Sequence, residues 1–233
     1  MTDTLQHMVT TSGATSSTSD VTYKFSRSLA MLAAPNEATA ESIRALRTHI
    51  VAQHIDYGRR ALAICAPSPG VGCTYTAINL GIALSQIGLK TLVIDANLRA
   101  PSLEAFVKPS RDGKGLAQCL EMSDEGWLDC INADVIPELS LMYAGDTVED
   151  AQVLLAKYRF ETLVDFCLRN FDVTLIDTPP ANSCADARLV SKVVRYSLIV
   201  ARKDKTFVDD VKTLVGQLEA DDVKVIGTVF NQA

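Results

Sequence analysis

Short apolar runs alternate with longer stretches of helical periodicity, and this alternation narrows the possible folds more than any other feature of the chain. The runs are Ala61–Cys65, Thr91–Ile94, Leu139–Tyr143, Val173–Ile176, Ser197–Ala201 and Val223–Val229. Between them lie Thr74–Ile87 (closed by Gly88), Ala151–Asn170, Ala185–Arg195 and Thr206–Glu219. A strand that is apolar on both faces needs cover on both faces, and intervening helices supply it. The pattern predicts an α/β domain built on a doubly wound, mostly parallel sheet. A further helix is predicted from Asn36 to about His54, with Asn36 as N-cap, Glu37 in the first turn, and Ile43, Leu46 and Ile50 at helical spacing. The Ser/Thr-rich tract Thr10–Asp20 cannot bury apolar surface. Residues 1–35 are therefore read as a disordered tail and 36–233 as a single domain. Residues 108–135 are the least legible: Gly113-Lys114-Gly115 marks a loop, followed by a short helix or two.

Charge and cysteine usage limit the partners. Lys plus Arg is 22 against 28 Asp plus Glu, a formal net charge of −6. That balance argues against a nucleic-acid partner and against a polybasic membrane anchor. The six cysteines form no C-x-x-C pair and the chain has 3 histidines, which argues against a zinc site and for reduced thiols in a cytosolic setting. Residues 1–20 lack the apolar core of a signal peptide, and no apolar run approaches the ~20 residues that cross a bilayer. Any membrane role is expected to go through a partner.

Three stretches fall at the carboxyl ends of predicted strands, where a doubly wound sheet binds ligands. The first, Ala66-Pro67-Ser68-Pro69-Gly70-Val71-Gly72-Cys73-Thr74, follows a strand and opens a helix. Such a loop aims backbone N–H groups at phosphates, helped by the helix dipole, and a hydroxyl after its last glycine can meet the nucleotide's Mg²⁺. The generic pattern G-x-x-x-x-G-K-[ST] is incomplete here: Pro67 stands at its first glycine and Cys73 at its lysine. The second stretch runs from Thr91 through Asp95, Asn97 and Arg99 to Pro101, and the third ends in Asp177-Thr178-Pro179-Pro180. One carboxylate after a strand is ordinarily a turn or helix cap. Two of them following a Gly-rich strand–helix loop point to a phosphate pocket with a hard cation.

With these motifs the chain resembles the bacterial tyrosine kinases that regulate exopolysaccharide and capsule synthesis. That family lies within the deviant-Walker P-loop ATPases, alongside chromosome-partitioning and division-site-selection proteins. The resemblance runs from about Glu37 to Asn231. The family's P-G-E-G-K-[ST]-T loop is matched by Pro69, Gly70, Val71, Gly72, Cys73, Thr74 and Tyr75. Thr76–Gly81 is similar to T-A-x-N-L-A, Asp95–Pro101 to D-A-D-L-R-x-P, and Asp177–Pro180 to the D-T-P-P Walker B motif. The resemblance implies a P-loop NTPase fold that binds ATP or ADP with Mg²⁺. It implies Thr74, Asp95 and Asp177 around the metal, Asp95 and Asp177 in catalysis, and Asn231 near the adenine. Glu41, Arg44 and Arg47 fit E-x-x-R-x-x-R, which packs neighbouring kinase domains into a homo-oligomeric ring, although the same spacing also makes an ordinary exposed helix face. It further implies an inner-membrane polysaccharide co-polymerase of the chain-length-determinant type as partner, and a cytoplasmic place at that membrane.

Three departures touch the chemistry. Cys73 removes a charge-assisted phosphate contact, and losing one electrostatic stabiliser typically costs ~10²–10³ in rate. Asn97 replaces the second Asp of D-x-D and cannot serve as a base. The sequence ends two residues after Asn231, without the tyrosine cluster that family kinases carry there, and its tyrosines are dispersed. Arg99, Arg202 and Lys203 are candidates to replace the missing charge, the last two more simply read as a solvated strand end. A thiol at a helix N-terminus has a lowered pKa, but Cys73 is better read as a small residue in place of a lysine. The expectation is a kinase-like regulatory subunit of polysaccharide polymerisation and export with degraded catalysis. The alternatives are an active protein-tyrosine kinase of the same system and a positioning ATPase. The signature lysine of the positioning ATPases is absent at Ala66-Pro67.

Overall fold

The computed structural model describes residues 21–122 and 126–232. The chain runs β1 (Tyr23–Phe25), α1 (Ala30–Ala33), α2 (Ala38–Gln53), β2 (Ala61–Cys65), α3 (Cys73–Ser85), β3 (Thr91–Asp95), β4 (Val107–Pro109) and α4 (Leu116–Glu121). It continues through β5 (Asn132–Ile136), β6 (Leu139–Met142), α5 (Ala151–Leu155), α6 (Tyr158–Asn170) and β7 (Val173–Asp177). It closes with α7 (Asp186–Val194), β8 (Tyr196–Arg202), α8 (Val208–Ala220) and β9 (Lys224–Asn231).

A seven-stranded sheet in the order β5-β6-β3-β7-β2-β8-β9 carries the fold. Every pairing in it is parallel except β5 against β6. Strands β2, β3 and β7 are buried along their whole length, as their predominantly apolar runs require. Leu62, Ile64, Val93 and Leu175 face a core closed by α1, α2 and α3, while Ala63, Ile94, Ile176 and Ile199 face one closed by α4 to α8. The doubly wound α/β sheet is present, and the six expected strands start and end within one or two residues of their predicted limits.

Four expectations need correction. Ordered structure begins well before residue 36: β1 pairs with β4, Leu29 and Met31 are fully buried, and the Met31 amide donates to Asn79 Oδ1 at 3.2 Å. The Ser/Thr tract itself lies outside the described residues. Helix α2 starts at Ala38 with Glu37 at the N-cap, because Pro35 and Asn36 are taken up by a turn. The stretch expected as one helix, Ala151–Asn170, is two. Its buried positions are Leu154 and Leu155, then Phe160, Leu163, Val164 and Cys167. The five-residue step from Leu155 to Phe160 breaks helical phase, so Lys157 extends and the stripe restarts. Finally, β1, β4 and the antiparallel edge strand β5 carry little apolar alternation and were not expected.

Candidate functional site: a P-loop with a buried carboxylate pair

The strand order sets three segments side by side. β7 lies between β3 and β2, with Asp95 opposite Asp177 and Ile64 opposite Asp177 in register. The loop after β2 therefore meets both carboxylates at the carboxyl edge of the sheet. Gly70 and Gly72 hold φ of +68° and +96°, a left-handed backbone that favours glycine. A Cβ on Gly72 would strike the Asn231 amide.

Asp177 is fully buried. Its Oδ2 accepts from Thr74 Oγ1 at 2.5 Å, and Thr74 Oγ1 lies 2.7 Å from Ser102 Oγ. Its Oδ1 is buried with no hydrogen-bond partner among the described residues. Burial, then the charge of Asp95, pushes the Asp177 carboxyl up to about 7. Asp95 is also held above the usual carboxylate range by burial, against three amides that oppose the shift. Asn97 N donates to its Oδ1 at 3.0 Å, and Ser102 N and Leu103 N donate to its Oδ2 at 2.9 and 3.0 Å. Asp95 thus organises the loop that carries Ser102. An orphaned carboxylate oxygen beside a hydroxyl and a second carboxylate is the donor set a hard dication takes, so these residues fit Mg²⁺. Bound there, the ion would neutralise the pair and supply positive charge to phosphate oxygens.

The predicted site residues divide. Thr74, Asp95, Asp177 and the loop from Pro69 to Cys73 come together, and Asn231 joins them, its Nδ2 donating to the Val71 carbonyl at 2.9 Å. Tyr75 instead contributes a ring contact to Phe106, with centroids 6.3 Å apart. Asn97 serves as a turn former, its Oδ1 accepting from Ala100 N at 3.2 Å.

One expectation fails here, and the preferred reading of Cys73 as a small, unreactive residue agrees with the structure. Arg99 does not stand in for the missing lysine: its Nε donates to Asp186 Oδ2 at 2.8 Å and its Nη1 to the Glu149 carbonyl at 2.8 Å. The Cys73 thiol is not activated by its helix N-terminus. It donates to the Ile64 carbonyl at 3.1 Å, and burial, reinforced by Asp177, pushes it well above its ordinary range. Between the two strand-end cations, the structure brings Arg202 to the loop, with Nη1 3.1 Å from the Gly70 carbonyl, while Lys203 is exposed. Ser102 and Lys205 were missed by sequence reasoning. Lys205 Nζ lies 3.2 Å from the Gly70 carbonyl. Ser102 follows Pro101 directly, so the Asp95–Pro101 motif pointed at its neighbourhood; nothing in the spacing marked Lys205. On α2, Arg44 pairs with Glu41 at 3.1 Å and donates to the Pro35 carbonyl at 2.6 Å. Arg47 Nη1 reaches the Ala83 carbonyl at 3.4 Å.

Residues 59–233 match the ParA family, described as NUBPL iron-transfer P-loop NTPase. The chain belongs to this family of P-loop NTPases. Its relatives include bacterial tyrosine kinases. It is 27% identical over 217 residues to the tyrosine-protein kinase YwqD of Bacillus subtilis, covering 89% of this chain and 87% of YwqD. It is 27% identical over 209 residues to the tyrosine-protein kinase wzc of Salmonella typhimurium, covering 90% of this chain but 29% of wzc. The structure of the kinase domain of the Escherichia coli tyrosine kinase ETK superposes with a TM-score of 0.79 at 25% identity, over 88% of this chain and 79% of that one. The P-loop NTPase family is one whose members typically bind nucleotide with Mg²⁺. Among the described residues no helix is long and apolar enough to cross a membrane.

Proposed function

We infer that this chain is a nucleotide-binding, kinase-like regulatory subunit of a machine that polymerises and exports an exopolysaccharide or capsule-type polymer. It acts at the inner membrane through a co-polymerase of the chain-length-determinant type. It retains the cation pocket and has lost most phosphotransfer. One observation carries the reading: the Cys73 side chain is tied down to the Ile64 carbonyl, while Asp177 keeps a buried oxygen with no hydrogen-bond partner among the described residues. The charge that a family loop puts on the phosphates is gone, and the cation site beneath it is intact. In this reading Thr74, Asp95 and Asp177 order the ion, the loop amides cradle the phosphates, and Asn231 flanks the base. Glu41, Arg44 and Arg47 lie on the half-exposed face of α2, where a ring neighbour would pack.

The second reading is an active tyrosine kinase of the same system. Arg202 and Lys205 on the Gly70 carbonyl favour it, because they restore positive charge to the loop.

Phosphotransfer from labelled ATP to tyrosine, measured beside Mg-ADP binding by calorimetry, separates the two. The wild-type chain should bind Mg-ADP and transfer no detectable phosphate. Cys73→Lys should bind more tightly, by at most the roughly 10- to 100-fold that one charge-assisted contact is worth. Tyrosine phosphorylation by the wild type at the rate of Cys73→Lys would sink the regulatory reading in favour of the active kinase.

A further inference from the structure

The turn after β8 sets two cations on the phosphate loop. Arg202 Nη1 and Lys205 Nζ reach the same oxygen, the Gly70 carbonyl, at 3.1 and 3.2 Å. The turn is shaped for this. Arg202 N donates to Thr206 Oγ1 at 2.9 Å, and Thr206 N returns to the Arg202 carbonyl at 3.0 Å. Asp204 takes a left-handed φ of +56°, so the chain doubles back and presents Arg202 and Lys205 on one side. The turn is also fastened to the rest of the site. Lys203 N donates to the Asn231 carbonyl at 2.9 Å, and Asn231 Nδ2 donates to the Val71 carbonyl at 2.9 Å. Turn, strand end and phosphate loop form one hydrogen-bonded unit.

Neither Arg202 nor Lys205 forms an ion pair among the described residues. Two like charges sharing one neutral carbonyl repel each other, and the carbonyl neutralises neither. An anion beside them would remove that repulsion and accept charge-assisted hydrogen bonds from both. The segment they touch is the one whose amides face phosphates in a P-loop. Arg99 has no such freedom, being held by the buried Asp186.

We propose that Arg202 and Lys205 form a phosphate clamp, supplying to the terminal phosphates of a nucleoside di- or triphosphate the charge that a lysine at position 73 would supply. The proposal rests on the nucleotide-binding reading above and adds what holds the phosphates in place. The clamp comes from the β8–α8 turn, so it approaches the loop from outside rather than from the helix N-terminus.

Calorimetric titration of Mg-ADP and Mg-ATP into the full chain tests it. The variants are Lys205→Gln, Arg202→Gln, Cys73→Lys and the double variant Cys73→Lys/Lys205→Gln, each checked by thermal melting without nucleotide. Losing either clamp charge should weaken Mg-ATP binding about tenfold and flatten its dependence on salt. In the Cys73→Lys background the loss of Lys205 should cost about threefold or less, because the two charges do the same work. Equal affinity of the wild type and both Gln variants overturns the clamp and leaves the nucleotide reading standing. A wild type that is silent while Cys73→Lys binds also overturns it, since the pair then fails to supply the charge. No binding by any of the proteins overturns both the clamp and the reading beneath it.

Discussion

Replacing Asp177 by Asn should change how the stability of the nucleotide-free protein depends on pH. Asp177 is fully buried and its carboxyl titrates near 7, first because of burial and then because of Asp95. In the unfolded chain it titrates at about 4. A carboxyl with a raised folded pKa binds its proton more tightly folded than unfolded. Stability therefore falls as pH rises from about 4, and the loss is complete above about 7. The gap is worth about 4 kcal/mol at 1.36 kcal/mol per pH unit. Asn at 177 keeps an oxygen to accept from Thr74 and carries no charge. Any cost of the new amide is the same at every pH, so the slope is the readout. The assay is denaturant unfolding of both proteins at half-unit steps from pH 4.5 to 8, with a chelator present. The stability difference between Asp177→Asn and wild type should move in favour of the variant by about 3–4 kcal/mol across that range. Asp95 titrates in both proteins and largely cancels. Adding Mg²⁺ and ADP should recover the loss in the wild type and not in the variant. Parallel curves would refute the reasoning, because they would mean that Asp177 is not a buried charge held without a cation.

Two further predictions concern side chains that the structure reassigns. Arg99→Ala leaves the fully buried Asp186 without its partner and should destabilise the fold by about 3 kcal/mol, read by urea unfolding; Asp186→Asn in the same background should recover part of the loss, and a neutral Arg99→Ala would contradict the pairing. Cys73 should resist alkylation by iodoacetamide at pH 8 in the native protein, followed by mass spectrometry, because its half-buried thiol donates to the Ile64 carbonyl and is held protonated. Rapid stoichiometric labelling at Cys73 would restore the reactive-thiol reading.

The parts of the fold that proved legible are those where one physical cause acts alone. Strands β2, β3 and β7 are buried on both faces, so nearly every residue is apolar, Thr91 and Thr174 excepted, until the carboxylate that ends β3 and β7. That run followed by a charge is visible in a bare sequence. Strand β5, with Asp134 at φ +48° and its central residues exposed, pairs on one edge and has no such signature. β1 and β4 stabilise each other across more than eighty residues of chain, a partnership that no local pattern encodes. The site divides in the same way. Thr74, Asp95 and Asp177 sit at motif positions, whereas Lys205 reaches the loop through a turn set by Asp204 and Thr206, which is tertiary geometry. Arg99 misled because a cation in a phosphate motif reads as a phosphate ligand until the buried Asp186 appears beside it.

The contrast between positions 73 and 177 bears on what the site still does. Cys73 costs the fold little: its thiol shares the Ile64 carbonyl with Thr178, whose amide and hydroxyl donate to it at 3.2 and 2.9 Å. A small side chain there satisfies itself without a ligand. Asp177 does not. Its ionised form is disfavoured at neutral pH, with one oxygen lacking a hydrogen-bond partner among the described residues and a second carboxylate in register beside it, and the unliganded protein is less stable for it. A site that had stopped binding a cation would gain stability from any neutral residue at 177, and Asn would fit. The reading proposed above, binding of Mg²⁺ and nucleotide with weakened transfer, accounts for both the destabilising carboxylate and the permissive cysteine. The pH profile of Asp177→Asn, read with and without Mg-ADP, therefore tests the function as well as the electrostatics.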